Sequence, residues 1–352
     1  MHSWKALKQR LRRLFVWVAV LALLFSAPEG VAAADGSVTP PSPAVIVQEL
    51  GHGINLADAL EAPREGQWGL TLRDDYFAII ERAGFTTVRV PIRWSAHASL
   101  TAPYLVDPAF WKRIDWVVAE GKTHHLNVIL DLQNYDELMV EPEKHQERFL
   151  AIWHQIAEHY QHEPPSILFE LLNEPHNQLD AATWNALLSQ AIAIIRPTNP
   201  NRLIVVGPVS WNKISALPLL ILPAGDSRLV VTVHYYDPMT FTHQGAPWEK
   251  TSLTWLGTKW HGTDADKRVV NHDFDNAVAW ASAHQRPMLL GEFGTYEKCD
   301  IESRQRWTRY VAHSAEAHGM PWAYWEFGGN FGAYDIGLNT WRAPLLEALQ
   351  PK

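Results

Sequence analysis

The sequence predicts an α/β protein built as a single (β/α)8 TIM barrel. Eight short apolar runs rich in β-branched residues lie along the chain, and amphipathic helical patterns separate them. Strands that alternate with helices in this way form parallel sheets, and eight such units in one domain favour a closed barrel. Gly51-His52-Gly53, in the first run, lacks the third glycine and the following helix of a dinucleotide-binding turn, which argues against an open doubly wound sheet.

The predicted strands are almost continuously apolar, as expected of parallel strands that are buried on both faces. They are Ile46–Asn55, Thr87–Ile92, Asn127–Leu132, Ile167–Asn173, Leu203–Gly207, Leu229–Tyr235, Met288–Glu292 and Pro321–Glu326. Helices are predicted between them, where apolar residues recur every three or four positions. The longest connection, residues 237–264, carries Trp248, Trp255 and Trp260 and is predicted to form a wall of a functional site.

The composition limits the classes of function. The chain has 352 residues, of which 47% are hydrophobic, and one barrel can use them all. The net charge of −8 argues against nucleic-acid binding, which requires a basic patch. Cys299 is the only cysteine, so an intrachain disulfide and a thiolate metal cluster are excluded. The 17 tryptophans indicate platforms on which flat apolar faces, such as those of pyranose rings, stack.

The N-terminal residues have the pattern of a secretory signal peptide. Basic residues between Lys5 and Arg13 precede an apolar run, 14–25, and Ala32-Ala33-Ala34 offers a cleavage site. The apolar run is shorter than the roughly twenty residues of a membrane span, which favours cleavage over retention as an anchor. We therefore expect a signal peptide over 1–34, a short Pro-rich lead-in over 35–43 and a catalytic domain over 44–352. The mature chain is expected to be secreted or periplasmic, without stable membrane insertion.

Two glutamates stand where apolar strands emerge from the predicted sheet. Glu174 follows the fourth run, and Glu292 ends the seventh. A carboxylate is costly to bury, so each should face a pocket, and active sites of (β/α)8 barrels lie at the carboxyl ends of the strands. Two carboxyl groups from opposite walls of one barrel are what glycoside hydrolysis requires.

The motifs around these glutamates resemble glycoside hydrolase family five, the cellulase family. They are Leu172-Asn173-Glu174-Pro175 and Gly291-Glu292-Phe293-Gly294, accompanied along the chain by Gly53-Ile54-Asn55-Leu56, Arg89-Val90-Pro91-Ile92-Arg93-Trp94, His234-Tyr235-Tyr236 and Tyr324-Trp325. Two further segments, Glu61-Ala62-Pro63 and residues 241–246, resemble its bacterial endoglucanase-like branch.

The resemblance implies roles for the two acids and their neighbours. Glu174 is expected to act as the general acid/base and Glu292 as the nucleophile. Arg89 is expected to hold Glu292 ionised, because an adjacent guanidinium lowers the pKa of a carboxyl group. Tyr236 matches the family's phenol that hydrogen-bonds the nucleophile, and Asn173 matches the amide that holds the sugar 2-hydroxyl.

Three further site residues follow from the same resemblance. His234 matches the histidine near the acid/base, and Trp325 matches the indole beneath the sugar at the point of cleavage. Gln133 departs from the family, which usually has a histidine at the end of strand three. A glutamine still hydrogen-bonds a hydroxyl but carries no charge. The substitution is therefore either tolerated, with a changed pH dependence or affinity, or a sign of weakened catalysis or another substrate.

The sequence thus predicts a secreted retaining glycoside hydrolase that cleaves a β-linked polysaccharide or oligosaccharide. Endo-β-1,4-glucanase activity is favoured, and β-mannanase or exo-β-1,3-glucanase activity is the alternative within the family. A carbohydrate-binding pseudoenzyme and a metal-dependent barrel hydrolase are the alternatives from other classes. The histidines lack the spacing of a two-histidine metal motif, so no metal and no other cofactor is expected. The expected state is a monomer.

Overall fold

The computed structural model describes residues 47–350, and these contain the predicted (β/α)8 barrel. Eight parallel strands close in sequence order, with β1 hydrogen-bonded to β8. They are β1 His52–Asn55, β2 Thr87–Ile92, β3 Asn127–Leu132, β4 Ile167–Glu170, β5 Ile204–Val206, β6 Leu229–Tyr235, β7 Met288–Phe293 and β8 Trp322–Tyr324. The fold class is therefore confirmed. The expected signal peptide and lead-in, 1–43, lie outside the described residues.

Helices surround the barrel and bury one apolar face against it. They are α1 Asp74–Arg82, α2 Pro108–Thr123, α3 Asp136–Val140, α4 Pro142–His159, α5 Ala181–Ile195, α6 Asp264–His284, α7 Ile301–Ala317 and α8 Ala343–Leu349. Short helical turns occur at Val209–Asn212 and Met239–Thr242, and a two-stranded ribbon pairs β9 Tyr334–Asp335 with β10 Thr340–Trp341. No helix within residues 47–350 is long and apolar enough to span a bilayer.

The prediction of a first strand from Ile46 was wrong over its first half. Residues 47–49 are helical, and β1 begins only at His52. Gly51, at φ +53°, ends the helical turn in a left-handed conformation that suits glycine. The apolar side chains of Val47 and Leu50 do not belong to a strand, because they pack into the amino-terminal end of the barrel. Burial at the bottom of the barrel thus explains the apolar character that indicated a strand.

The barrel interior has an apolar layer at this end. Its side chains are all at least 99% buried. They are Val47, Leu50, Ile129, Leu168, Leu203, Val205, Val230 and Leu289. Because this layer closes the bottom of the barrel, the polar side chains of the same strands gather at the opposite, carboxyl-terminal end.

Candidate active site

Glu292 is positioned by an irregularity between β6 and β7. Val233 pairs with Leu290, but the next pair is His234 with Glu292, so Gly291 is an extra residue in β7. A Cβ atom at position 291 would lie 2.3 Å from the hydroxyl oxygen of Thr232, so only glycine fits. The bulge therefore places Glu292 directly beside His234, with a side chain that is 95% buried.

Glu174 lies beyond β4 rather than at its end, since the strand stops at Glu170. The chain continues through Asn173, whose N–H donates to the carbonyl of Leu132, and Glu174 itself has φ +46°. One carboxylate oxygen of Glu174, one of Glu292 and a ring nitrogen of His234 all lie within 4.8 Å of one another. The tertiary structure thus brings the two predicted acids together.

Arg89 is the centre of a buried hydrogen-bond network inside the mouth of the barrel. Its guanidinium is fully buried, and its Nε and Nη2 donate to the two carboxylate oxygens of Glu170 at 2.7 and 2.9 Å. Nη1 donates to Asn55 and to Glu292, each at 2.9 Å, and Nη2 also donates to Asn173 at 2.8 Å. These contacts use all five N–H groups of an arginine. The sequence-predicted contact with Glu292 is present, but the two-bond partner is Glu170.

Asp131 lies beside Arg89 in this network, but its side chain makes no hydrogen bond to any residue in 47–350. It pairs in register with Glu170 of β4, and its Oδ2 lies 3.1 Å from Nη2 of Arg89. Neither of its oxygens has a hydrogen-bond partner within 47–350. Burial raises the pKa of Asp131 well above its usual range, although Arg89 acts to lower it, and Glu170 and Glu292 raise it further. Burial and the neighbouring carboxylates thus favour the protonated form of Asp131, whereas the guanidinium of Arg89 favours its ionised form.

His234 connects the two predicted catalytic acids. Its Nδ1 lies 2.7 Å from Oε1 of Glu174 and 3.4 Å from Oε2 of Glu292, and its Nε2 lies 3.2 Å from the amide nitrogen of Asn212. Burial lowers the pKa of His234 to about 4, so the ring is neutral. Because the Asn212 amide donates to Nε2, the ring proton is on Nδ1 and points at Glu174.

The two acids differ in the groups that stabilise their charged forms. Burial raises the pKa of Glu174 to about 7, with Arg89 acting in the opposite direction. Burial also raises the pKa of Glu292, against the lowering effects of His234 and Arg89 and of the hydrogen bond from Tyr236. The hydroxyl of Tyr236 donates to Oε2 of Glu292 at 2.9 Å. Arg89 thus acts on the Glu292 pKa in the expected direction, but desolvation outweighs the guanidinium, so the net shift is upward.

Gln133 and Trp325 complete the predicted set at the barrel mouth. The N–H of Gln133 donates to the carbonyl of Ile92, and its buried Oε1 has no partner among residues 47–350. Trp325 is half-buried against the cluster of Ala246, Tyr296 and Phe331.

The predicted tryptophan wall is correct only in part. Trp248 is exposed and its ring contacts Tyr296 and Phe331, so it lies near Trp325. Trp260 is 96% buried and packs against Tyr310 of α7 instead. The long loop therefore contributes one aromatic ring near the site and one to the packing of the outer helices.

Sequence reasoning missed several residues of the site. Asn55, Asp131, Glu170 and Asn212 all contact the predicted residues and are fully buried. A charged residue inside an otherwise apolar strand was the available signal, since such a side chain requires a buried partner. A second acidic group follows β1 and β8, where burial raises the pKa of Asp58 to about 6 and that of Glu61 to about 8. Glu326 adjoins Asp58 and is also buried.

Comparison with known proteins identifies the family. Residues 50–331 match the family model "Cellulase (glycosyl hydrolase family 5)". The chain belongs to glycosyl hydrolase family 5. This match confirms the resemblance that the motifs indicated, and it covers all eight strands of the barrel.

Relatives within family 5 agree with this assignment. The chain is 34% identical to Endoglucanase H of Acetivibrio thermocellus over 304 residues, which cover 84% of this chain but only 32% of that protein. The crystal structure of endoglucanase Cel5A from Thermotoga maritima superposes with a TM-score of 0.87 and 44% identity, over 88% of this chain and 100% of that chain. Structures of Thermotoga maritima Cel5A in complex with mannotriose and with cellobiose match at TM-scores of 0.86.

Proposed function

We propose that this chain is a retaining glycoside hydrolase, an endo-β-1,4-glucanase, in which Glu174 is the acid/base and Glu292 the nucleophile. The observation that carries the proposal is the separation of the two carboxyl groups, whose nearer oxygens lie within 4.8 Å. Retaining enzymes hold the two groups about 5–5.5 Å apart, whereas inverting enzymes leave about 6.5–9.5 Å for a water molecule. Family membership and the endoglucanase relatives support the same reaction.

The reaction proceeds in two displacements. In the first, a carboxylate oxygen of Glu292 attacks the anomeric carbon and forms an ester bond. The bond from that carbon to the leaving sugar oxygen breaks, its electron pair goes to the oxygen, and Glu174 supplies the proton. In the second, Glu174 takes a proton from water, the water oxygen attacks the same carbon, and the ester bond to Glu292 breaks. The product keeps the β configuration.

The neighbouring groups keep the two acids in different protonation states. Glu292 accepts hydrogen bonds from Arg89 and Tyr236, both of which favour its anion. Glu174 has its pKa raised to about 7 by burial, so it keeps a proton near neutral pH. The Nδ1–H of His234 donates a hydrogen bond to Oε1 of Glu174. The other oxygen of Glu174, Oε2, therefore carries the proton that is transferred to the leaving group.

Gln133, Asn173 and Trp325 are proposed to bind the sugar at the point of cleavage. The buried side-chain oxygen of Gln133 has no hydrogen-bond partner in the described part of the chain, and a sugar hydroxyl would supply the missing donor. The Asn173 oxygen accepts from Arg89, which orients its amide N–H groups for a ligand. Trp325 supplies an apolar ring at the mouth. β-Mannan is the second substrate to examine, because a relative has been crystallised with mannotriose.

The stereochemistry of the products tests the assignment directly. Proton NMR during hydrolysis of a β-1,4-gluco-oligosaccharide should show the β anomer first, and an initial α anomer would exclude the double displacement. With an activated aryl cellobioside, azide should give a β-glycosyl azide with Glu174→Ala and an α-glycosyl azide with Glu292→Gly. The substrate is identified by incubation with a panel of polysaccharides: β-1,4-glucan, β-1,3-glucan, mixed-linkage glucan, xyloglucan and mannan. Separation of the products by size distinguishes endo from exo action.

We further propose that residues 1–34 direct export and that 44–352 form the catalytic domain. The basic and apolar pattern of the first residues supports export, and the family match over 50–331 supports the domain bounds. N-terminal sequencing of the protein exported by a bacterial host is the test. A mature chain that begins near Asp35 is expected, and a protein that keeps its first residues would contradict the proposal.

A further inference from the structure

A cavity of about 580 Å³ lies outside the active site, on the outer wall of the barrel between α6 and α7. Its lining residues come from these helices and from the loop before α6, and none of them belongs to the site around Glu174 and Glu292. The volume is in the range of small-molecule sites. The outer wall of the barrel therefore has room for a ligand of the size of a sugar.

Within residues 47–350, the lining carries positive charge and includes no acidic residue. It contains the cations Lys267, Arg306 and Arg309 together with three histidines, whereas the whole chain has a net charge of −8. Arg309 is exposed and has no ion pair or hydrogen bond to any residue in 47–350. The nearest carboxylate of Arg306 is that of Glu302, at 4.0 Å and mostly exposed. The lining is thus opposite in sign to the net charge of the chain, and one exposed carboxylate, that of Asp275, contacts the lining residue His318 at 3.1 Å.

Two hydrogen-bond acceptors in the cavity wall are already occupied. The Asn271 oxygen accepts from the hydroxyls of Tyr310 and Ser314 at 3.0 and 2.9 Å, and the Trp260 carbonyl accepts from Arg306. The amide nitrogen of Asn271, by contrast, has no partner in the described part of the chain. The wall therefore presents the N–H groups of Asn271, Lys267 and Arg309 to a ligand group that accepts hydrogen bonds.

Arg306 is held in place by the wall itself, and Lys267 makes one longer contact with it. Arg306 donates from Nε and Nη2 to Trp260, and from Nη2 to Ser303 at 3.0 Å. The ammonium of Lys267 lies 5.7 Å from the ring centre of Tyr310, over its face. Because the Arg306 side chain is already oriented, a ligand that binds there loses less free energy to ordering it. Tyr310 also gives the cavity a partly apolar surface.

We propose that this cavity binds an acidic sugar, a uronate-bearing mono- or disaccharide, separately from the catalytic cleft. The carboxylate lies among Lys267, Arg306 and Arg309, the Asn271 amide donates to a ring hydroxyl, and the apolar face of the sugar lies beside Tyr310. Inorganic phosphate shares the charge but would leave most of the 580 Å³ and the aromatic wall unused. The proposal needs no catalytic role of the chain, so it stands or falls independently of the proposed hydrolysis.

Isothermal titration of the full-length protein at low ionic strength tests this site. The probes are methyl β-glucuronoside, neutral methyl β-glucoside and inorganic phosphate. Arg309→Gln and Lys267→Gln remove cations that line the cavity, and Arg268→Gln removes an exposed cation of α6 that does not line it. We expect saturable binding of the glucuronoside, at least about tenfold weaker in the first two variants and unchanged in Arg268→Gln.

Several results would overturn the proposal. The first is that the unaltered protein shows no saturable binding of the glucuronoside. The second is that it binds the neutral glucoside as tightly as the glucuronoside. The third is that Arg309→Gln and Lys267→Gln bind the glucuronoside as tightly as the unaltered protein does. Phosphate bound as tightly as the glucuronoside would overturn the assignment to a sugar acid. Hydrolysis of neutral β-glucan and the midpoint of thermal unfolding should be the same in all three variants, which shows that any loss of binding is local.

Discussion

The two ends of the barrel interior are built from the same strands but from opposite chemistry. On β4, Leu168 lies in the apolar layer at the bottom, and Glu170, two residues later, receives two hydrogen bonds from Arg89 near the top. On β7, Leu289 likewise lies in the apolar layer, and Glu292 receives a hydrogen bond from Arg89 near the top. The bottom layer needs no directional contacts, since apolar burial depends on area and packing. The top layer is stable only if each buried charge has a partner or a proton.

The difference in chemistry is the reason that hydrolysis is proposed at the carboxyl-terminal end of the barrel interior and not at the bottom. A buried layer of aliphatic side chains can stabilise the fold but has no group that transfers protons or attacks carbon. The charged layer costs desolvation, and that cost raises the pKa values of Glu174 and Asp131. Substitutions in the two layers should therefore separate stability from catalysis.

Removal of the proposed nucleophile should have the largest effect. Glu292→Gln keeps the shape of the side chain but cannot form the ester intermediate, so kcat on soluble β-glucan should fall by at least about 10⁴-fold. The control is Glu297→Gln, an exposed glutamate four residues beyond β7, which should retain full activity. If Glu292→Gln is as active as the unaltered chain, Glu292 has no part in the mechanism.

Replacement of the proposed acid should lower activity less and change its pH dependence. The proton of Glu174 is required, and its pKa is raised to about 7, so kcat/KM should fall as the pH rises through about 7. Glu174→Gln should reduce kcat/KM on β-glucan by about 10²–10⁴-fold and remove this alkaline limb. An alkaline limb that persists in Glu174→Gln would assign the titration to another group.

Removal of Arg89 should damage both stability and activity. Arg89→Leu removes the guanidinium that Glu170 and Glu292 share and leaves Tyr236 as a donor to Glu292 alone. Loss of one partner of a buried pair costs about 3–5 kcal/mol. Urea unfolding measures this loss, and Arg73→Leu, from an exposed pair with Asp75, should cost less than about 1 kcal/mol. Equal losses in the two variants would show that the buried network contributes no more than a surface ion pair.

A substitution in the apolar layer at the bottom of the barrel should lower stability without changing catalysis. Leu168→Ala should lower the free energy of unfolding by about 2–5 kcal/mol, because it opens a cavity in a fully buried layer. At a temperature where the variant is folded, kcat should equal that of the unaltered chain, since Leu168 lies at the end away from Glu174 and Glu292. A large fall in kcat at full folding would mean that the two layers are coupled.

Asp131 should be the least sensitive member of the charged layer. If it is a neutral acid, Asp131→Asn keeps both its shape and its charge, so the free energy of unfolding should change by less than about 1 kcal/mol. The pH dependence of kcat/KM should be unchanged. A loss of 3–5 kcal/mol would instead indicate an ionised Asp131 paired with Arg89. Infrared spectroscopy should show a protonated carboxyl band that Asp131→Asn removes.

The sequence itself determined the order of strands and helices. It also determined which end of the barrel carries the two acids. Apolar periodicity is a local property, and in a closed parallel barrel all strands end on the same face. Glu174 and Glu292 could therefore be placed at one mouth before any distance was known. Local pattern was insufficient for Val47 and Leu50, since an apolar run at the bottom of a barrel looks like a strand whether or not it pairs.

Only the tertiary structure decided which charges meet and which keep a proton. Arg89 contacts Glu170 across 81 residues of sequence and Glu292 across 203, and no local pattern encodes such pairs. Whether Asp131 is ionised depends on how many donors Arg89 has left, which is a property of the folded network. The sequence determines which ionisable groups the protein has, but their protonation states depend on distances and burial that exist only after folding.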